Sequence, residues 1–341
     1  MGKKIKVLIV DDSLVFRETI ARGIGLDAGI TVVGTAADPY EARDKIIQFE
    51  PDVMLLDVEM PKMNGIEFLR KLMPQYPLPV VMISAVSQNV FDALNAGAVD
   101  FVTKPDMQNV KGLENLITEL IVKIKIASVA KVGQWKNTAS SFIEGKEEVD
   151  AAGKIIAIGS STGGTEAVYS ILKSFPQQMP GILVVQHMPP KFTKMYADRL
   201  NQSCRLEVRE AQHGDKLYPG LALIAPGDYH MRLKKTGSLY SVECVKSEKV
   251  NGHCPSVDVL FDSVAAAVGP RAVGVILTGM GYDGAKGLLH MRSRGARTIG
   301  QNEASCVVYG MPKVAYDIGA VEKQVSLEDI PQMIYGMLGR R

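Results

Sequence analysis

Short apolar runs alternate with amphipathic stretches along this chain, and that alternation restricts its fold more than any other feature. In the first half the runs fall at residues 7–10, 31–33, 53–56, 80–83 and 99–102. Strands apolar on both faces and separated by helical spacing must be covered on both sides, as in the parallel sheet of a doubly wound α/β domain. A five-stranded parallel sheet is therefore expected over residues 1–127. The second half repeats the alternation on a larger scale, with strands expected at 154–158, 181–186, 221–225, 273–278 and 298–300. Helices are expected at 164–174, 191–202, 256–268 and 284–294, which makes residues 154–341 a larger, mostly parallel α/β domain. Between the two, residues 128–153 hold Ser, Lys, Glu, Gly and the single Trp, Trp135, without a sustained apolar period, and read as a linker.

Composition narrows the function. Among 341 residues, 46% are hydrophobic and 22% charged, which suits two folded cores. Lys plus Arg number 39 against 37 Asp plus Glu, a net of +2, too balanced for a chain whose task is neutralising a phosphate backbone. No nucleic-acid partner is expected. The most apolar stretch, residues 264–280, is cut by Arg271 and falls short of the ~18 uninterrupted apolar residues of a membrane span, so no membrane insertion is expected. The start offers no small-residue cleavage site, and Lys6 stands where N-myristoylation needs Ser or Thr, so the chain is expected in the cytoplasm. Cys204, Cys244, Cys254 and Cys306 lack Cys-x-x-Cys spacing and are expected as buried, reduced thiols.

The strand ends carry the chemistry. The first apolar run leads into Asp11 and Asp12, and the third into Asp57. Ligand sites of open parallel sheets lie at the carboxyl ends of strands, so the three carboxylates should converge there. Such crowding is costly without a cation, and Mg²⁺, which needs one or two carboxylates plus water and phosphate oxygen, suits the cluster. Ser84 and Lys104, followed by Pro105, bring a hydroxyl and an ammonium to the same edge. A carboxylate beside a metal, a fixed cation and a hydroxyl is equipped to attack a phosphoryl group. Singly, each of these residues could be a helix cap or a solvated strand end. Together they resemble the receiver domain of bacterial response regulators, over roughly residues 4–125. The resemblance implies that Asp57 is the phosphoacceptor, that Asp11, Asp12 and Asp57 hold Mg²⁺, and that Ser84 and Lys104 contact the phosphoryl group. Phe101 matches that family's switch aromatic, although as a residue it serves equally well in a core.

The second half opens with a strand leading into Gly159-Ser160-Ser161-Thr162-Gly163-Gly164-Thr165-Glu166 and a helix. A strand-turn-helix passage of small residues sets hydroxyls beside a helix N-terminus, which suits either a phosphate cradle or a nucleophilic Ser with an oxyanion hole. The turn has no P-loop lysine and does not match Gly-x-Gly-x-x-Gly, which argues against nucleotide. The next strand ends in His187-Met188-Pro189-Pro190, and the strand at 273–278 leads to Gly279-Met280-Gly281-Tyr282-Asp283-Gly284. A Ser, a His and an Asp just past three strands supply the attacking group, its base and the acid that orients the base. Ser160 and Ser161 compete for the first role. Asp283 could instead cap the helix after it. Of the other histidines, His213, His230, His253 and His290, none ends an apolar strand, and each is expected as a core or surface residue.

The segments Ser160-Ser161-Thr162-Gly163-Gly164, Val185-Gln186-His187-Met188-Pro189, Pro255-Ser256-Val257-Asp258-Val259-Leu260-Phe261 and Leu277-Thr278-Gly279-Met280-Gly281-Tyr282-Asp283-Gly284-Ala285 resemble the chemotaxis protein-glutamate methylesterases, as does the order of receiver then esterase. The resemblance implies Ser161 as nucleophile, His187 as base, Asp283 as orienting acid and the Met280 backbone N–H as an oxyanion donor, with no cofactor for ester hydrolysis. It also implies hydrolysis of glutamate γ-methyl esters on chemoreceptor cytoplasmic helices, deamidation of receptor glutamines, and a chemotaxis histidine kinase as phosphodonor. Ser160 departs from the family where Ala is common, and Cys254 where a basic residue is expected. Charge differs between the halves, with 14 basic and 17 acidic residues over 1–127 against 22 and 16 over 154–341. Opposite signs would favour docking of one domain on the other, while a split this small reads equally as scatter; with a linker and a triad at an open sheet edge, the unphosphorylated receiver is expected to block the esterase. A second reading, a receiver joined to a non-catalytic DNA-binding module, is opposed by the near-neutral charge and the lack of a helix-turn-helix.

Overall fold

The computed structural model describes residues 3–85, 89–105, 110–133 and 151–339. The chain divides into two compact units, Met1–Lys136 and Asn137–Arg341. Most of the expected linker, residues 134–150 with Trp135, lies outside the described residues.

The first unit alternates β1 (Ile5–Val10), α1 (Leu14–Ile24), β2 (Ile30–Ala36), α2 (Pro39–Phe49), β3 (Val53–Asp57), α3 (Gly65–Leu72), β4 (Val80–Ser84), α4 (Val90–Asn95), β5 (Asp100–Thr103) and α5 (Val110–Ala127). Its sheet runs β2-β1-β3-β4-β5 with every pair parallel. β3 and β4 are buried at every residue, as the unbroken apolar runs require. The strand after β1 lies on one side of it and the next on the other, so a crevice opens at the carboxyl ends of β1 and β3. Side chains at the helix starts stabilise these returns: Ser13 accepts from Phe16 N, Asp38 from Tyr40 N and Glu41 N, and Asn64 from Glu67 N. Such caps satisfy backbone N–H groups that the first helical turn leaves without a partner.

The second unit comprises β6 (Ile155–Ser160), α6 (Gly164–Ser174), β7 (Gly181–Gln186), α7 (Phe192–Ser203), β8 (Glu207–Glu210), β9 (Lys216–Leu217), β10 (Leu221–Ile224), β11 (His230–Thr236), β12 (Leu239–Val245), α8 (Val257–Ala267), β13 (Ala272–Ile276), α9 (Ala285–Ser293), β14 (Arg297–Gln301), α10 (Met311–Asp317), β15 (Lys323–Val325) and α11 (Ile330–Leu338). Seven strands form one parallel sheet in the order β15-β14-β13-β6-β7-β10-β8. β6 has β7 on one side and β13 on the other, so the order reverses at its carboxyl end. That end is where ligand chemistry belongs in such a sheet.

Two features differ from the expectation. β9, β11 and β12 form a separate antiparallel sheet with no counterpart among the apolar runs. In β11, Met231 and Leu233 are buried while Arg232 and Lys234 are exposed, so the strand carries its apolar residues on one face only. Among the cysteines, all free thiols, only Cys306 is buried; Cys204, Cys244 and Cys254 are half-buried.

Candidate functional site

β1, β3, β4 and β5 end side by side. Asp11 follows β1, Asp57 closes β3, Ser84 closes β4, and Lys104, one residue past β5, donates its backbone N–H to Ser84 O at 2.9 Å. Asp11, Asp57 and Ser84 are buried, whereas Asp12 is exposed. Lys104 Nζ lies 2.6 Å from Asp11 Oδ2 and 2.7 Å from Asp57 Oδ2, one ammonium shared between two carboxylates. Burial pushes the Asp57 carboxyl up to about 6; Lys104 opposes the rise and Asp11 adds to it. Burial would lower the Lys104 ammonium, but its contacts with Asp11 and Asp57 outweigh that and hold it above its ordinary value.

This donor set fits a hard divalent cation. One oxygen each from Asp11, Asp12 and Asp57 lie within 4.8 Å of one another, and Asp57 Oδ1 is buried without a hydrogen-bond donor among the described residues. Phe101 is buried, with Lys123 Nζ 5.1 Å from its ring centroid. The ring sits in the core, one of the two placements its residue type allowed.

In the second unit, Ser161 follows β6, His187 follows β7, and Asp283 lies in the loop between β13 and α9, all at the carboxyl edge of three adjacent strands. Ser161 N donates to Thr278 O at 3.1 Å, and His187 N to Ser160 O at 3.1 Å, which ties the three loops together. A Cβ on Gly279 would fall 2.7 Å from Ser161 Cβ, so the loop before Asp283 passes against the serine only because residue 279 has no side chain. His187 Nε2 meets Asp283 Oδ2 at 2.8 Å, while Nδ1 is buried and without a partner among the described residues. The ring therefore keeps one nitrogen available as a proton acceptor. Contacts between nucleophile and base are often long in a free enzyme and tighten around substrate.

Asp283 does not cap the helix that follows it; Gly284, at φ +89, takes that place without a side-chain bond. Its carboxylate reaches instead to the start of α8, accepting from Val257 N at 2.7 Å and Asp258 N at 3.3 Å. Oδ1 also accepts from Ser256 Oγ and Asn251 Nδ2, both at 2.7 Å. Burial alone would raise this carboxyl, but His187, Asn251 and Ser256 outweigh it and hold Asp283 well below the usual carboxylate range. It stays ionised wherever the imidazole works.

Ser160 and Ser161 are separated by environment. Ser160 is fully buried and donates to Gln186 Oε1 at 2.6 Å, while Gln186 Nε2 donates to Ser161 O at 2.9 Å. Ser161 is half-buried at the turn. Met280 is 44% exposed, and no described residue accepts from its backbone N–H.

Four contributors were not singled out from sequence: Gln186, Asn251, Ser256 and His253. Gln186 and Ser256 stand inside the family-like segments, and Asn251-Gly252 is a turn signal, with Asn251 at φ +54. His253 corrects the expectation for it. Its ring stacks on that of His187, with centroids 3.7 Å apart and planes 7° from parallel. Burial first, and His187 next, push its imidazole down to about 4. His230 is the satisfied core histidine expected, accepting from Ser256 N at 3.1 Å and bonding Glu248 O at 3.0 Å.

Fold and site together define a class: a response-regulator receiver joined to an α/β unit that carries a Ser, a His and an Asp at one strand edge. Residues 7–115 match the response regulator receiver domain, and residues 156–334 match the family described as CheB methylesterase. A protein-glutamate methylesterase/protein-glutamine glutaminase 2 of Syntrophomonas wolfei is 63% identical over 338 residues, 99% of either chain. Its namesake from Syntrophotalea carbinolica is 51% identical over 351 residues, covering all of this chain and 99% of its own. The crystal structure of the Thermotoga maritima CheB methylesterase catalytic domain is 39% identical, with a TM-score of 0.53, over 54% of this chain and 98% of that one. The chain belongs to the CheB methylesterase family.

Proposed function

We propose that this protein is a phosphorylation-activated serine esterase of chemotaxis adaptation. It hydrolyses glutamate γ-methyl esters on the cytoplasmic helices of chemoreceptors, releases methanol, and deamidates receptor glutamines by the same attack. The observation that carries the reading is the Asp283–His187 pair, with His187 Nδ1 left open, at the strand edge that also bears Ser161, in a chain 63% identical to a protein-glutamate methylesterase/protein-glutamine glutaminase. Ser161 Oγ attacks the ester carbonyl while His187 Nδ1 takes its proton. Asp283, held ionised by α8, fixes the tautomer and balances the imidazolium. The Met280 backbone N–H receives the oxyanion, and the imidazolium then protonates the departing methoxide. Water enters by the same route and frees Ser161, with no cofactor in the esterase unit.

Asp57 is the phosphoacceptor, using Oδ1, the oxygen that Lys104 leaves free. Asp11, Asp12 and Asp57 would hold Mg²⁺, which when bound offsets carboxylate and phosphoryl charge. Lys104 and Ser84 contact the phosphoryl group, and Phe101 is the switch aromatic. The phosphodonor is a chemotaxis histidine kinase. The receiver spans residues 1–127, the linker 128–153 and the esterase 154–341, a division supported by the two compact units and the two family matches. No described helix is long and apolar enough to cross a membrane, and the cytoplasmic face of the receptors is the proposed place of work.

The test is methanol release from methylated receptor membranes with and without acetyl phosphate. Release that rises with the phosphodonor and vanishes in Ser161→Ala is expected. Undiminished release in Ser161→Ala would sink the assignment.

A further inference from the structure

The His187 ring has one polar contact among the described residues, at Nε2, and nothing among them bonds Nδ1. A ring anchored at one point can pivot about it, which would carry Nδ1 out of line with Ser161. What lies flat against the ring is His253, parallel within 7° and at 3.7 Å. The turn that bears His253 is itself fastened: Val250 and His253 exchange backbone hydrogen bonds at 3.0 and 2.9 Å. Between them, Asn251 Nδ2 donates to Asp258 Oδ2 and to Asp283 Oδ1, both at 2.7 Å. One short turn thus grips the acid with an amide and the base with a ring.

We infer that His253 is a positioning residue for the esterase, a rigid aromatic face that keeps the His187 ring in the plane where Nδ1 meets the nucleophile. This rests on the proposed roles of Ser161, His187 and Asp283. The charged groups facing His253 are His187 and Asp283 of the site and Lys249 on its own segment. Burial makes its imidazole a poor proton acceptor, so it acts by shape rather than as a second base. The role therefore asks for a flat ring and not for an imidazole.

The full-length protein tests this through kcat and KM on methylated receptor membranes and through labelling of Ser161 by a fluorophosphonate. His253→Ala should lower kcat and the labelling rate about tenfold to a hundredfold, with KM within about twofold, since small misplacement of a reacting group costs that much. His253→Phe, which restores a flat ring without a titrating nitrogen, should recover kcat to within about threefold of the parent, the margin left by imperfect repacking. Melting curves accompany each variant, and should His253→Ala fail to fold, His253→Gln replaces it as the variant without a ring. Unchanged kcat in the variant lacking a ring would overturn the inference. So would a folded His253→Phe as impaired as that variant, because the imidazole itself would then be required. His187→Ala is the control for the underlying reading: if it retains activity, the triad fails, whereas an inactive His187→Ala beside a fully active His253→Ala removes the positioning role alone.

Discussion

Ser160 donates its hydroxyl to Gln186 at 2.6 Å, and the amide end of the same glutamine holds the carbonyl of Ser161. The two adjacent serines are thereby given different work. One is spent inside the protein, linking the end of β6 to the end of β7, and the other is left at the turn.

Ser161→Ala should therefore lower kcat about 10⁴- to 10⁶-fold, the range for removal of a triad nucleophile. Ser160→Ala strips a donor from a buried amide oxygen and should cost about 1–3 kcal/mol of stability. Its kcat should stay within about tenfold of the parent, since the turn shifts while the reacting groups remain. Turnover of methylated receptor and urea unfolding separate the two effects. Equal losses of kcat from the two substitutions would refute the division of labour.

The second prediction concerns Asp57, whose carboxyl is pushed up to about 6 by burial, against Lys104. A folded-state value above the unfolded one means that this group's contribution is present at low pH and is lost as pH rises from about 4 towards 6. In excess chelator, Asp57→Asn should exceed the parent in unfolding free energy at pH 7.5 by about 1–3 kcal/mol, and the gap should close by pH 4. Mg²⁺ should stabilise the parent and not the variant. Intact mass after acetyl phosphate should show one added phosphoryl group only in the parent and only with Mg²⁺ or Mn²⁺ present. Uptake that persists in chelator would remove the metal from the reaction.

How far all this could be read in advance depended on which faces of each strand are buried. β1, β3, β4, β6, β7 and β13 are covered on both sides, so their sequences are unbroken apolar runs and the polar residue that ends each run stands out. Asp57, Ser84 and His187 were legible as candidates for that reason, and Ser161 only as one of two adjacent serines. β8 and β11 bury one face or one residue, as with Val208 alone fully inside β8, and carry charges on the other, so no run marks them. His253 and Asn251 were illegible for a different reason. They reach the site from an irregular turn fixed by tertiary contacts, and local pattern says nothing of where such a turn lands. The target of Asp283 was hidden likewise: Val257, at the start of α8, precedes it by 26 residues, while the nearer helix offered an equally good reading.

Asp283→Asn is the third prediction. Five donors converge on this carboxylate. An amide nitrogen in place of one oxygen would face donors with a donor and favour the wrong His187 tautomer. We expect kcat to fall about 10⁴-fold. Stability has a pH signature with a definite sign. The folded value lies below the unfolded one, so the carboxylate's contribution is full above about pH 4 and fades as pH falls further. The difference in unfolding free energy between parent and variant should be largest near neutrality and smaller at pH 3. A difference that does not shrink in acid would mean that the clash of amide donor with donor, and not charge, accounts for the loss.

The last prediction follows from the absence of a side chain at Gly279. An alanine methyl there would lie 2.7 Å from Ser161 Cβ and 2.5 Å from Met311 Sδ. The backbone cannot easily retreat, because Gly279 N donates to Val308 O at 3.0 Å and its carbonyl accepts from Gly310 N and Met311 N at 3.1 and 2.8 Å. The Met311 thioether can swing aside at modest cost. Ser161 cannot do so without stretching its own 3.1 Å bond to Thr278 O. Gly279→Ala should therefore displace the nucleophile and lower kcat about a hundredfold, the usual penalty for misplacement by an ångström. It should cost about 1–3 kcal/mol of stability as overpacking. Adding Met311→Ala relieves one contact and leaves the other, so kcat should remain low in the double variant. Phosphoryl uptake at Asp57 should be unchanged in both variants. Recovery of kcat in the double variant would show that Met311, and not Ser161, takes up the strain.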